Sequence, residues 1–206
     1  MIAVVDYGAS NLRSVVRAFR AAGTEVAATG DPDAVRRAER VVVPGVGNFG
    51  PAREQLAATG LDEAILDAAR AGRPVLGICL GLQLLLDGSD EAPSVKGLGL
   101  LPGRVSHFST TLPVPHVGWA RVDLTARGRS HPVLVGAVPG EQAFFYHVHS
   151  YHPDAVAPDA TLGVAEYGAS FATIVGTDAV LGVQFHPEKS QGAGLALLAG
   201  FARWQP

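Results

Sequence analysis

Cysteine is nearly absent: Cys79 is the only one in 206 residues. A single thiol excludes an internal disulfide framework and suits a reducing compartment. No apolar run approaches the roughly 20 residues that a membrane-crossing helix requires. The opening Met1-Ile2-Ala3-Val4-Val5-Asp6 has no basic flank and meets an acid at once. It is therefore expected to be a first strand and not a secretion signal. Charge is sparse, with 16 Lys and Arg against 19 Asp and Glu, and the net value of -3 leaves no electrostatic footprint for nucleic acid. Repeats, linkers and low-complexity stretches are missing too. With 48% hydrophobic and 17% charged residues, the expectation is one globular domain over residues 1–206. It is expected to be cytoplasmic, with neither a membrane nor a nucleic-acid partner.

What is present is an alternation of short apolar runs with helical patterns. Met1 to Asp6, Thr24 to Thr29, Arg40 to Val43 and Pro74 to Ile78 read as strands. Leu12, Val15, Val16 and Phe19 share one helical face, and Leu61, Ala64, Ile65 and Ala68 share another. Asp31-Pro32 offers an N-cap with proline at the first helical position. Such alternation predicts βαβ units around a buried parallel sheet. After about Gly88 the texture turns to Gly, Pro and short β-prone runs: 104–107, 119–124, 143–151, 172–175 and 180–185. Leu195, Leu198, Ala199 and Ala202 mark a closing helix. The fold class expected is three-layer α/β, a mostly parallel sheet with antiparallel additions in the C-terminal half.

Cys79 stands between a strand and a helix in the frame Gly77-x-Cys79-x-Gly81. A sharp strand-to-helix turn needs small neighbours, and glycine two residues to either side leaves it room. The same geometry defines the serine nucleophile elbow, where the next backbone N–H is free to bind an oxyanion. The partial positive charge of a helix N-terminus favours a thiolate. A lone Cys among Leu and Ile is ordinarily a small core residue. A core residue has no use for a special turn, so Cys79 is a candidate nucleophile.

The second informative stretch is Val183-Gln184-Phe185-His186-Pro187-Glu188-Lys189. Pro187 pushes His186 to extended backbone, where residues two apart point the same way. Glu188 can then orient the His186 imidazole, as the third member of a triad does. Pro44-Gly45-Val46-Gly47 follows a strand and admits two readings, an ordinary glycine turn or part of an oxyanion hole. In Tyr146-His147-Val148-His149-Ser150-Tyr151-His152, two histidines share a strand face, but no acid or Cys nearby completes a ligand set. A structural or substrate-lining role is therefore preferred to a metal, and no cofactor is expected.

These motifs together resemble the class I (triad) glutamine amidotransferases. Within them they resemble the branch of glutaminase subunits of imidazole glycerol phosphate synthase. The likeness runs over essentially the whole chain. It is carried by Asp6-Tyr7-Gly8 with Asn11-Leu12, Pro44 to Gly47, Leu76 to Gln83, Pro115-His116-Val117-Gly118-Trp119, Val148 to Tyr151 and Gln184 to Ser190. The resemblance implies a catalytic Cys79, His186 and Glu188, with an oxyanion hole from Leu80 and from Val46 once the Gly45–Val46 peptide is turned. It implies L-glutamine bound by Gly47, Gln83, Glu91, His149, Ser150 and Tyr151. It also implies ammonia delivery to a (β/α)8-barrel cyclase partner in histidine biosynthesis, with Asn11, Trp119, Tyr146 and Lys189 near that interface. Departures are Ala9-Ser10 before Asn11, Ala120 after Gly-Trp, and His147 where an aromatic is common. A catalytically silent subunit and a Cys–His hydrolase of the same layered fold remain as alternatives.

Overall fold

Strands β1 (Ile2–Val5), β2 (Val26–Thr29), β3 (Arg40–Val43) and β4 (Val75–Ile78) lie parallel, in the order β2-β1-β3-β4. The computed structural model describes residues 1–8, 11–138 and 142–206, so the departures Ala9 and Ser10 lie outside the described residues. Helices α1 (Leu12–Ala21), α2 (Pro32–Arg37), α3 (Phe49–Thr59), α4 (Leu61–Arg70) and the short α5 (Leu80–Leu85) intervene. The central strands are apolar on both faces because both are covered. Ile2 and Val4 pack toward Phe19 of α1, while Ala3 and Val5 pack toward Leu56, Leu61 and Ile65 of α3 and α4. Asp31 caps α2, its carboxylate accepting from the Asp33 N–H at 2.9 Å.

The second half extends the same sheet. In chain order it supplies β5 (Arg104–His107), β6 (His116–Leu124), α6 (Ala126–Ser130), β7 (Gln142–His149), β8 (Tyr151–Asp154), β9 (Thr161–Tyr167), β10 (Ala169–Gly176), β11 (Val180–Val183) and α7 (Gln191–Arg203). Strand β11 pairs parallel with β4, and β10, β9, β6 and β7 follow antiparallel. Strands β5 and β8 form a separate two-stranded sheet. The expected α/β architecture, parallel first and antiparallel late, is what the chain adopts.

Several elements differ from the sequence reading. Helix α3 has no counterpart in the sequence analysis: it starts two residues past the Pro44 to Gly47 turn, with Gly50 and Pro51 in its first turn, where proline is tolerated. Strand β9 has no counterpart in that reading, its apolar alternation being interrupted by Gly163. The run 143–151 is not one strand: it breaks at Ser150, and Tyr151 enters the smaller sheet. In α7 the buried face is Gly194, Leu197, Leu198 and Phe201 and not one centred on Leu195, since the Phe201 ring packs edge-on against Phe19.

Strands β3, β4 and β11 are neighbours, so their carboxyl ends bring three segments together: the Pro44 to Gly47 loop, Cys79, and Gln184 to His186. In open α/β sheets ligands bind at such ends.

Candidate active site

Cys79 adopts φ 53° and ψ -108°, a backbone conformation that costs energy in any residue but glycine. Its N–H is anchored to the Val183 carbonyl of β11 at 2.8 Å. A Cβ on Gly77 would stand 2.7 Å from the Leu82 nitrogen, and one on Gly81 would run into the Val43 carbonyl of β3. Both glycines are thus needed to seat the elbow against its own helix and the next strand. Since α5 is only six residues long, its dipole is a minor influence, and the charged partner of the thiol is His186.

His186 and Glu188 are brought together as the spacing predicts. The Nδ1 of His186 lies 2.7 Å from Oε1 of Glu188, and both side chains are withdrawn from solvent. The Asn11 amide donates to the same carboxylate oxygen. Burial works against an imidazolium at His186, but the Cys79 sulfur and the Glu188 carboxylate outweigh it and push the pKa up to about 10. The Nε2 atom makes no closed hydrogen bond; its interaction is with that sulfur, a loose geometry of the kind found before substrate binds.

A cavity of about 330 Å³ opens beside the thiol. Its wall contains every residue expected to hold the substrate: Gly47, Gln83, Glu91, His149, Ser150 and Tyr151. Val46 and Leu80 line it as well. Among the described residues Glu91 is the only acid in the wall, and its Oε2 accepts from the Phe49 N–H at the start of α3 at 2.7 Å. The Leu80 N–H opens α5 and has no intrahelical acceptor, which leaves it available to an oxyanion.

Two contributors lie outside the site residues expected from the sequence. The Gln184 amide, fully buried, lies 3.6 Å from Cys79 Sγ while its oxygen accepts from Gln83 at 3.1 Å. The Tyr7 hydroxyl donates to the Pro44 carbonyl at 2.8 Å and fills the place a side chain on Gly45 would need. Burial, and secondarily Cys79, pushes the Tyr7 phenol pKa up, so it remains a donor at neutral pH. Both contacts join segments far apart in sequence, so only the topology of the sheet reveals them.

Residues 3–202 match the family described as glutamine amidotransferase class-I. The imidazole glycerol phosphate synthase subunit HisH of Symbiobacterium thermophilum is 47% identical over 202 residues, 98% of this chain and 93% of its own. The chain belongs to this family. The HisH subunit of Mesorhizobium japonicum is 42% identical over 217 residues, 100% of this chain and 99% of the relative. Among solved structures, one described as a glutamine amidotransferase aligns with a TM-score of 0.75 at 17% identity, covering 97% of this chain and 100% of that one. PurLQS from Thermotoga maritima aligns at 0.74 with 18% identity, over 98% and 96% of the two chains. Likeness at that identity bears on the fold alone, and it agrees with the mixed sheet.

In this amidotransferase the four residues expected near a partner fall in two places. Trp119 and Tyr146 are register partners on β6 and β7, their rings 6.2 Å apart, with Lys189 Nζ 5.6 Å over the Tyr146 ring. Asn11 sits instead at the Glu188 carboxylate. Val117, Trp119 and Phe144 share the outward face of the β6–β7 pair and are 56%, 47% and 58% exposed. The opposite face carries His116, His147 and His149, all buried. Ala120, a departure from the family pattern, pairs with Phe145 on that same inner side. Among the described residues no helix is long and apolar enough to cross a membrane.

Proposed function

We propose that this single-domain chain is the glutaminase subunit of a cytoplasmic imidazole glycerol phosphate synthase. It hydrolyses L-glutamine and delivers ammonia to a (β/α)8-barrel cyclase. The observation that carries the reading is one thiol on a strained elbow, facing a buried imidazole that a carboxylate orients.

The chemistry follows from that geometry. The Cys79 sulfur attacks the side-chain amide carbon of glutamine, and His186 holds the thiol proton. The amide oxygen becomes an oxyanion between the Leu80 N–H and, when the Gly45–Val46 peptide is suitably turned, the Val46 N–H. The intermediate collapses as His186 returns its proton to the departing nitrogen, releasing ammonia and leaving a glutamyl thioester. Water, deprotonated by His186, then cleaves the carbon–sulfur bond and frees glutamate and thiol. Glu188 keeps Nδ1 protonated and offsets the positive charge on the ring in both halves. Glu91 offers its free oxygen to the α-ammonium of glutamine, while Gln83, Gly47, His149, Ser150 and Tyr151 shape the rest of the pocket.

The partner reading rests on the relatives' shared role as one subunit of a synthase and on the exposed apolar patch of Val117, Trp119 and Phe144. Contiguous exposed apolar surface marks an interaction site. The test is glutamine labelled with ¹⁵N in its amide, given to this chain mixed with a barrel cyclase and its nucleotide substrate. The label is expected in the imidazole product, with one glutamate per ring closed. Unlabelled product, or no hydrolysis by the complex, would refute the proposal.

A further inference from the structure

His116 of β6 and His149 of β7 are direct register partners, and His147 stands two residues along on the same inner face. Their ring nitrogens can all be chosen within 4.8 Å of one another. From sequence alone only His147 and His149 can be placed together, because His116 arrives from a strand some thirty residues earlier. We propose that His116, His147 and His149 form a binding site for a divalent transition metal of the zinc class.

Three observations support it. His149 Nδ1 donates to the Tyr151 carbonyl at 2.8 Å, which fixes the ring and directs the Nε2 lone pair into the cluster. That is the outer-sphere arrangement that orients metal-ligating histidines. His147 Nδ1 is 3.0 Å from His149 Nε2, a hydrogen-bonding contact that a bound ion would replace, at a separation near the roughly 3.4 Å between two nitrogens on one tetrahedral zinc. His116 Nδ1 is buried with no hydrogen-bond partner, an unusual condition for a ring nitrogen in a folded core.

The ligand chemistry selects the metal. Three imidazoles without a carboxylate suit zinc, copper, nickel or cobalt and not magnesium or calcium. Water or hydroxide takes the fourth position, as in sites with three protein ligands. The His116 ring, stacked on Tyr167 at 4.0 Å, must move inward to share the ion, since the three nitrogens spread over as much as 4.8 Å. Phe108 and Phe171 close the rest of the site. Because His149 also lines the Cys79 cavity, a bound ion would clamp β6 to β7 and pin one wall of that cavity.

The experiment is titration of the full chain, stripped with a chelator, by Co²⁺ with Zn²⁺ as competitor. Expected are one metal per chain, the visible bands of a four-coordinate cobalt, and no thiolate charge-transfer band. Three exchangeable imidazole N–H signals shifted by the cobalt count the ligands without any substitution. Binding should survive in Cys79→Ser. It should weaken by more than about 100-fold in His147→Phe and in His116→Gln, beyond what loss of an outer-sphere partner costs. Circular dichroism of the metal-free variants identifies any that misfold. The inference is overturned by absence of stoichiometric binding, by fewer than three shifted N–H signals, by loss of binding in Cys79→Ser, or by unweakened binding in a folded His variant.

Discussion

Glu188 accepts a hydrogen bond from His186 Nδ1 at 2.7 Å, and the two side chains are 0% and 1% exposed. A carboxylate so placed fixes the imidazole tautomer and offsets the ring charge. Glu188→Gln retains the shape but offers a neutral group that can present its amide to the ring. The expected result is a fall in kcat for glutamine of about 10²–10⁴ with KM little changed, as for the equivalent change in a serine triad. Steady-state glutamate release with the partner present measures it, and an unchanged kcat would mean the pair is structural.

The same imidazole, held between the Cys79 sulfur and Glu188, sets a pH dependence of stability. The pKa of His186 is raised from its ordinary 6.5 to about 10 in the folded chain. The folded state therefore binds the proton more tightly than the unfolded one. Its stabilisation is complete below pH 6.5 and declines as pH rises toward about 10. Urea midpoints should drop across that window, and less steeply in Glu188→Gln. Equal slopes in the two proteins would contradict the coupling.

Gly81 and Gly72 differ in what surrounds them. Alanine at Gly81 would drive its methyl into the Val43 carbonyl, whereas Gly72, at φ 70°, has open space around it. Gly72→Ala should cost only the left-handed strain of about 1–2 kcal/mol. Gly81→Ala should cost more, at or above the upper end of the roughly 1–3 kcal/mol typical of overpacking. It should also lower activity by displacing the elbow. Equal urea midpoints for the two variants would show that the β3 backbone does not constrain the elbow.

Because Cys79 is the sole thiol, any thiol reagent reports on this site without background. It lines a cavity while only 6% exposed, so a small reagent is expected to react in the native state and glutamine to protect. Gln184→Met removes an N–H directed at the sulfur and should slow labelling several-fold at neutral pH. Labelling that appears only on unfolding would make Cys79 a packing residue.

The catalytic half of the site is legible in the chain because its parts are local. Gly77-x-Cys79-x-Gly81 writes the elbow, and His186-Pro187-Glu188 writes the oriented imidazole, each within a few residues. Contacts between distant segments are not legible. Nothing near Tyr7 indicates that its hydroxyl will hold Pro44, nor does Gln184 announce that it will meet Cys79 from the neighbouring strand. The fold follows the same division. The parallel strands are apolar runs in their own right, whereas β9, interrupted by Gly163, becomes a strand only through pairing with β10 and β6. Helix α3 is hidden because glycine and proline, at Gly50 and Pro51, are poor helix signals and yet sit where a helix start tolerates them.

The central claim is that Cys79 supplies ammonia while the partner closes the ring. It is tested most directly with Cys79→Ala assembled with the barrel cyclase and supplied in turn with glutamine and with ammonium at alkaline pH. Glutamine-dependent synthesis should vanish, while ammonia-dependent synthesis continues at the wild-type rate. Appreciable turnover of glutamine by the variant, or loss of both activities in an intact complex, would contradict it.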